Sequence, residues 1–168
     1  FKLLRRVVER ETLGELIELH VRFDRYRMEK SPKTFKETNI PGSGVLYDLG
    51  PHLLDQVISL FGKPEKSLKI SATHRPHSEV DDFSTLILTY QKGFTVFIHA
   101  SLLVVNPLPA YVLHGTKASF HKVRADVQED QLQAGISPKD SEYGIEPVGK
   151  EGLITLIKPN GDRELRYR

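Results

Sequence analysis

Three ionisable residues at helical spacing are the candidate catalytic residues of this chain. Asp48, His52 and Asp55 lie in the apolar stretch 42–62, which opens on glycines and is rich in Val, Leu, Ile and Phe. Offsets of four and three residues place their side chains on one face of an α-helix. A purely structural helix does not need two carboxylates and an imidazole among apolar residues, where unpartnered burial is costly. A catalytic helix does, because an imidazole can carry a proton near neutral pH and a carboxylate one turn away can orient it or raise its basicity.

The residues around this trio form a longer motif. With the trio itself, seven motif residues occur in order within fourteen positions: Gly42, Gly44, Leu46, Asp48, Gly50, His52 and Asp55. This string resembles the helix motif of the glucose–fructose oxidoreductase / inositol dehydrogenase / rhizopine-catabolism family (Gfo/Idh/MocA), with Ser43 in place of the middle glycine. Segments 13–16, 23–27 and 111–117 also resemble parts of the second domain of that family.

The resemblance implies that the chain is the C-terminal domain of an NAD(P)-dependent oxidoreductase acting on a sugar, polyol or related substrate. Family members bind NAD or NADP in an N-terminal Rossmann domain, which also supplies a catalytic lysine. No G-x-G-x-x-G fingerprint occurs in these 168 residues. We therefore expect the chain to be a piece of a longer protein, inactive alone, whose partner is its own N-terminal Rossmann domain.

The resemblance also implies roles for the helix residues. His52 would be the general acid/base that takes the proton from the substrate hydroxyl as hydride leaves for the nicotinamide. Asp48 would either hold His52 or hydrogen-bond the reacting oxygen. Asp55 would bind a substrate hydroxyl or orient its neighbours.

Two further pairs of residues are site candidates. Phe35 and Lys36 stand where many members of the family carry Trp-Arg, so the resemblance implies that they contact the cofactor, although Lys lacks the bidentate fork of Arg. Arg25 and Tyr26 close the first predicted strand. They could reach the cleft and bind substrate, but a solvated strand end explains them equally well.

A resident metal ion is not expected. The chain has no cysteine, and the histidines other than His52 show no metal-ligand spacing with one another. The pair His74 and His77 lies in a proline-containing turn. A stand-alone metal hydrolase built on Asp48, His52 and Asp55 would contain zinc or manganese.

Composition limits the class of protein. Apolar residues make up 39% and charged residues 27% of the chain, which fits one globular domain with a hydrophobic core. The formal net charge is only +2, with basic and acidic residues mixed, so neither nucleic acid nor a membrane surface is expected as a partner. No apolar run approaches the roughly 20 residues that span a bilayer. We expect a cytoplasmic protein.

The elements that must position the site follow from periodicity. Apolar residues in 1–10 fall on a helical stripe, and segment 28–43, with its prolines, predicts a loop. The motif helix should end at Gly62; Pro51 within it implies either one slightly irregular helix, which we favour, or a helix that begins at Pro51. Region 124–150 is irregular, with at most a short helix. Period-two alternation and turn residues predict strands in segments 15–27, 66–75, 82–91, 94–103, 111–115, 118–121, 153–158 and 164–168.

These elements predict an α+β domain: an open, mostly antiparallel sheet of about six strands with helices on one face. The open face of such a sheet usually binds something, and we expect a second copy of the chain, giving a homo-oligomer. The alternative to an enzyme is a non-enzymatic module for sheet-mediated assembly or ligand binding, in which the polar helix residues are vestigial.

Overall fold

A computed structural model describes residues 1–167, which contain three α-helices and eight β-strands. The helices are α1 (Lys2–Glu9), α2 (Val45–Phe61) and α3 (Gln128–Gln133). The strands are β1 (Leu16–Asp24), β2 (Lys66–Ala72), β3 (Phe83–Thr89), β4 (Thr95–Ser101), β5 (Tyr111–Gly115), β6 (Ala118–Lys122), β7 (Leu153–Ile157) and β8 (Arg163–Tyr167). They form one sheet in the order β2-β3-β4-β1-β5-β6-β7-β8.

One parallel pair sets the position of the motif helix. All neighbouring strands are antiparallel except β1 and β4, which run side by side in the same direction. Parallel neighbours need a long crossover connection. Helix α2 lies in that crossover and packs across β4, with contacts to β3 and β1.

The predicted fold class is confirmed, and the sheet is larger than expected. The closing hairpin of β7 and β8 joins the main sheet, because β7 pairs with β6 from Ala118↔Leu156 to His121↔Leu153. The chain leaves the sheet between these strands and includes the short helix α3 there. Local alternation predicts each strand but does not show which distant strand it will join.

The core lies between the sheet and its helices. Alternate residues of the central strands, such as Val21 in β1 and Val96 in β4, are fully buried on this side. Leu53 and Val57 of α2 belong to the same apolar cluster. Each such side chain stabilises the fold by about 1.5–3 kcal/mol relative to exposure. The buried stripe of α2 therefore fixes which of its faces points outward.

Helix α2 is continuous through Pro51, as favoured from the sequence. The ring removes the N–H that would bond the carbonyl of Tyr47 one turn earlier. Tyr47 is exposed, so water can reach that turn. The helix ends at Gly62, whose N–H donates to the Ile58 carbonyl at 2.8 Å and whose φ is +72°.

Segment 28–43 is a loop as predicted, and it contains a single 3-10 turn at Thr34–Lys36. None of the helices found within residues 1–167 has the length and apolar character needed to cross a bilayer.

Candidate active site on helix α2

The outward face of α2 carries the three ionisable residues of the motif. Asp48, His52 and Asp55 follow one stripe of the helix, opposite the buried stripe that includes Leu53 and Val57. His52 and Asp55 are exposed and Asp48 is half-buried. The expectation that all three would sit among apolar side chains is wrong for His52 and Asp55. The apolar residues of α2 take the opposite stripe, so no desolvation cost singles out these two.

Asp48 is held by two cations. The Lys36 ammonium forms a short ion pair with Oδ1 of Asp48. Nη2 of Arg25 lies 3.6 Å from Oδ2 of the same carboxylate. These three side chains are 23–35% exposed. Three of the residues singled out from the sequence thus come together, although Lys36 was expected at the cofactor and Arg25 at the substrate.

The remaining candidates are not drawn into this cluster. Within residues 1–167, the polar side chains of His52, Asp55 and Tyr26 make no hydrogen bond or ion pair with another side chain. Asp48 therefore does not hold His52 in this part of the chain. Phe35 and Tyr26 are both exposed, and the backbone of Tyr26 makes an isolated bridge to Leu103.

The first turn of α2 is capped from a distant loop. The carbonyl of Asp81 accepts the N–H of Val45, and its carboxylate accepts the N–H of Leu46, both at 2.9 Å. These are two of the N–H groups that a helix start leaves without partners. Gly44 precedes them with φ +87°, and a Cβ there would lie 2.2 Å from Oδ1 of Asp81. The motif glycine at 44 is thus required by the cap. Asp81 was not predicted from the sequence, because it lies 35 residues beyond Leu46.

A buried ion-pair network stands beside the Asp48 cluster. Arg75, whose side chain is 2% exposed, donates to both carboxylate oxygens of Glu37, at 2.7 and 3.3 Å. The N–H of Ser31 donates to the same carboxylate at 2.7 Å. Burial alone would raise the pKa of Glu37, but the hydrogen bonds from Arg75 and Ser31 outweigh it and lower the pKa below its usual value. No sequence pattern indicated this pair.

Asp82 anchors the loop that carries Arg75. Its fully buried carboxylate accepts the backbone N–H groups of His74 and Arg75, at 2.8 and 2.6 Å, and contacts Nδ1 of His74 at 3.0 Å. Burial would raise the pKa of Asp82, yet these hydrogen bonds lower it overall. Together with Asp48, Lys36 and Arg25, residues Glu37, Arg75 and Asp81 line a small cavity at the start of α2.

A second cavity opens beside Gln56, one turn after His52. The Tyr111 hydroxyl donates to Oε1 of Gln56 at 2.7 Å, and burial raises the pKa of Tyr111. Arg124 lines the same cavity, donates to the Arg22 carbonyl at 2.8 Å and stacks 3.8 Å above the Phe23 ring. Gln56, Tyr111 and Arg124 were not predicted, because only the sheet brings them beside the helix.

The part of the chain that the structure describes holds no group of three His, Asp or Glu side chains placed to bind a metal ion. The carboxylate of Asp48 is instead engaged by cations. Asp48, His52 and Asp55 are therefore not grouped as metal ligands among the described residues.

Comparison with known proteins adds a family assignment to this geometry. Residues 1–121 match the family model described as the GFO/IDH/MocA C-terminal domain. An uncharacterized oxidoreductase of Schizosaccharomyces pombe is 35% identical over 96% of this chain and 46% of its own length. The scyllo-inositol 2-dehydrogenase (NADP(+)) of Bacillus subtilis is 32% identical over 94% of this chain and 44% of its own length.

Solved structures of oxidoreductases share the fold of this chain. An oxidoreductase from Bacillus cereus superposes on the whole chain with a TM-score of 0.88 at 28% identity, and the match covers 55% of that protein. The chain spans less than half the length of the curated relatives it matches.

Proposed function

Because this chain belongs to the GFO/IDH/MocA family as its C-terminal domain, we propose that it is the substrate-binding and catalytic half of an NAD(P)-dependent oxidoreductase. The complete enzyme would transfer hydride between the nicotinamide and a sugar, polyol or related hydroxyl or carbonyl compound. The observation that carries this proposal is the outward face of α2, where Asp48, His52 and Asp55 stand in one row on an exposed surface.

His52 is the general acid/base in this proposal. Its ring has no side-chain partner in residues 1–167, so both nitrogens are available to a substrate hydroxyl. As the carbon-bound hydrogen departs as hydride, an imidazole nitrogen accepts the hydroxyl proton, and it returns the proton in the reverse direction. When bound, the nicotinamide would supply the hydride acceptor.

Asp48 is not placed to orient His52, because its carboxylate is occupied by Lys36 and Arg25 and not by the imidazole one turn away. An ionised carboxylate only accepts hydrogen bonds, and the proton of the reacting hydroxyl goes to His52. The Lys36 ammonium and the Arg25 guanidinium, which Asp48 holds beside the row, would stabilise an oxygen that gains negative charge. This pairing counts against the first of the two roles that the family resemblance implies, in which Asp48 holds His52.

Phe35 and Lys36 are the residues of this chain that would contact the cofactor. Phe35 presents an exposed aromatic ring that fits a planar ring of the cofactor, and Lys36 lies beside it with its ammonium paired to Asp48. Most of the NAD or NADP would be bound by the N-terminal Rossmann domain of the same protein. Arg25, Tyr26 and Asp55 would then face the substrate between the two domains.

Substitution of His52 in the complete protein tests the proposal. Reduction of NAD⁺ and NADP⁺ is measured with a panel of polyols that includes scyllo-inositol, because one relative is named for that substrate. His52→Asn should lower kcat by about 10²–10⁴-fold, the usual contribution of a general acid/base. The matched control is His77→Asn, at an exposed loop histidine whose φ of +58° suits asparagine. Unchanged turnover in His52→Asn would refute the assignment and favour the assembly module.

The open face of the sheet would bind a second copy of the chain. The edge strand β2 presents Leu68 and Ile70, both about half exposed, and Leu68 pairs with Ile87 of β3, which in turn pairs with Phe97 of β4. A strip of this kind on one open sheet face is typical of protein–protein contact. Light scattering should show that Ile70→Lys converts an oligomer to a monomer, whereas Leu108→Lys, at an exposed loop leucine, leaves it intact. A monomeric wild-type protein would contradict this.

A further inference from the structure

We propose that Glu37 and Arg75 are positioning residues that hold Lys36 against Asp48 and so fix the orientation of the Asp48 carboxylate. The inference rests on the proposed function of the α2 face, and it adds two residues that touch neither substrate nor cofactor. Neither was predicted from the sequence.

The pair is built as a rigid anchor. Glu37 is 9% exposed and the Arg75 side chain 2% exposed. Two parallel N–H donors of one guanidinium meet two carboxylate oxygens, which fixes distance and angle together. Nη1 of Arg75 also donates to the carbonyl of Glu29, and the Ser31 N–H donates to Glu37. The anchor thus ties the loop at both its beginning and its 3-10 turn.

Lys36 is attached directly to this anchor. It is the last residue of the 3-10 turn, and Glu37 follows it. The Lys36 carbonyl accepts the N–H of Gly44 at 3.2 Å, and the Lys36 N–H donates to Lys33 at 3.0 Å. Its backbone is therefore fixed on both sides, and its ammonium is directed at Asp48.

The loop between β2 and β3, which carries Arg75, also fixes Asp48, the partner of Lys36. Arg75 and Asp81 both lie in that loop, and Asp81 caps the first turn of α2 while Asp82 secures Arg75. Asp48 lies in the turn that Asp81 caps. One loop therefore holds Lys36 through Glu37 and Asp48 through the helix start, so the relative position of the two is set locally.

The experiment uses the complete protein and a neutral replacement of the buried pair. Removing only one charge would leave the other buried without a partner. The measurements are therefore made on the double variant Glu37→Gln with Arg75→Met. The amide oxygen at position 37 keeps an acceptor for the Ser31 N–H. Glu146→Gln with Lys122→Met is the matched control, since it replaces another ion pair, whose lysine is also buried, by neutral side chains.

The first measurement is the reactivity of Lys36 with trace acetic anhydride, followed by mass spectrometry relative to the exposed Lys33. Release of a partly exposed ion pair should raise the Lys36 to Lys33 labelling ratio about threefold to fivefold in the Glu37→Gln, Arg75→Met variant, and not in the Glu146→Gln, Lys122→Met control. This measurement requires no substrate. An unchanged ratio would overturn the proposal even if the enzyme is active.

The second measurement separates positioning from general support of the fold. In the complete enzyme, the double variant should lower kcat/KM by about 100-fold, since displacement by about 1 Å has that effect on reacting groups. In a Lys36→Met background, the same two substitutions should cause no further loss, because they act through Lys36. If the double substitution lowers kcat/KM by the same factor with Lys36 and with Met at position 36, Glu37 and Arg75 support the fold alone. If the wild type oxidises no polyol, the proposed function fails while the labelling result still decides this inference.

Discussion

Gly44 gives the sharpest test of how α2 is positioned. Gly44→Ala would add a Cβ 2.2 Å from Oδ1 and 2.8 Å from Cγ of Asp81, at a backbone of φ +87° and ψ 172°. That conformation costs a residue with a Cβ about 1–3 kcal/mol. The Asp81 carboxylate must also leave the Leu46 N–H, and losing a cap costs about 1 kcal/mol. We expect a total loss of about 3 kcal/mol in the free energy of opening this turn.

Hydrogen–deuterium exchange of the peptide that contains Val45 and Leu46 measures this free energy directly. Gly42→Ala is the matched control: its φ is +90°, but a Cβ there meets no atom within 4 Å, so only backbone strain is added. Asp81→Ala should cost about 1 kcal/mol by itself. The double variant Gly44→Ala with Asp81→Ala should be less destabilised than the sum of the two. Equal losses at 42 and 44, or strict additivity with Asp81, would refute the capping argument.

Two predictions concern pH. Burial, followed by the Arg22 charge, lowers the pKa of His99 although Asp24 opposes them, so His99→Gln should remove part of the stability loss that the wild type shows as pH falls below about 6.5. Thermal melts at pH 7.5 and 5.5 measure this, and equal acid sensitivity in both proteins would contradict it. The pKa of Asp82 is also lowered, but for a carboxyl group this means that the charged form stabilises the fold. The stabilisation is present above about pH 3.8 and is lost as pH falls through the lower folded-state pKa. Asp82→Asn should therefore destabilise the fold at pH 7 by roughly 2–3 kcal/mol in urea titrations, and an unchanged midpoint would contradict it.

Much of the fold is readable from local patterns. Alternation and turn residues locate the eight strands found within residues 1–167, and Arg168 of the last predicted segment lies outside the described part of the chain. The glycine-opened motif locates α2 and its end at Gly62, but the face that the helix buries was not predicted. The row of Asp48, His52 and Asp55 follows from the helical period alone. Alternation does not reveal strand order. Local patterns therefore predict neither the pairing of β7 with β6 nor the parallel pairing of β1 with β4.

The supporting residues of the site were missed for a related reason. Asp81 and Arg75 act on residues 35 and 38 positions away in the chain, and their roles depend on a loop folding back over the start of α2. Tyr111 meets Gln56 across 55 positions. A carboxylate or guanidinium in a loop looks the same in sequence whether it is solvated or locked in a buried pair. Gly44 did carry a signal, since a glycine just before a helix often marks a close approach.

The pH dependence of hydride transfer in the complete enzyme tests the central claim most directly. Single-turnover formation of the reduced nicotinamide would be followed for the wild type and for His52→Asn, with His77→Asn as control. If His52 accepts the substrate proton, the wild type and the control should show a rate that rises as one group loses a proton, and the variant should be slow and lack that rise. A variant that keeps the same pH profile and rate as the wild type would contradict the assignment of His52.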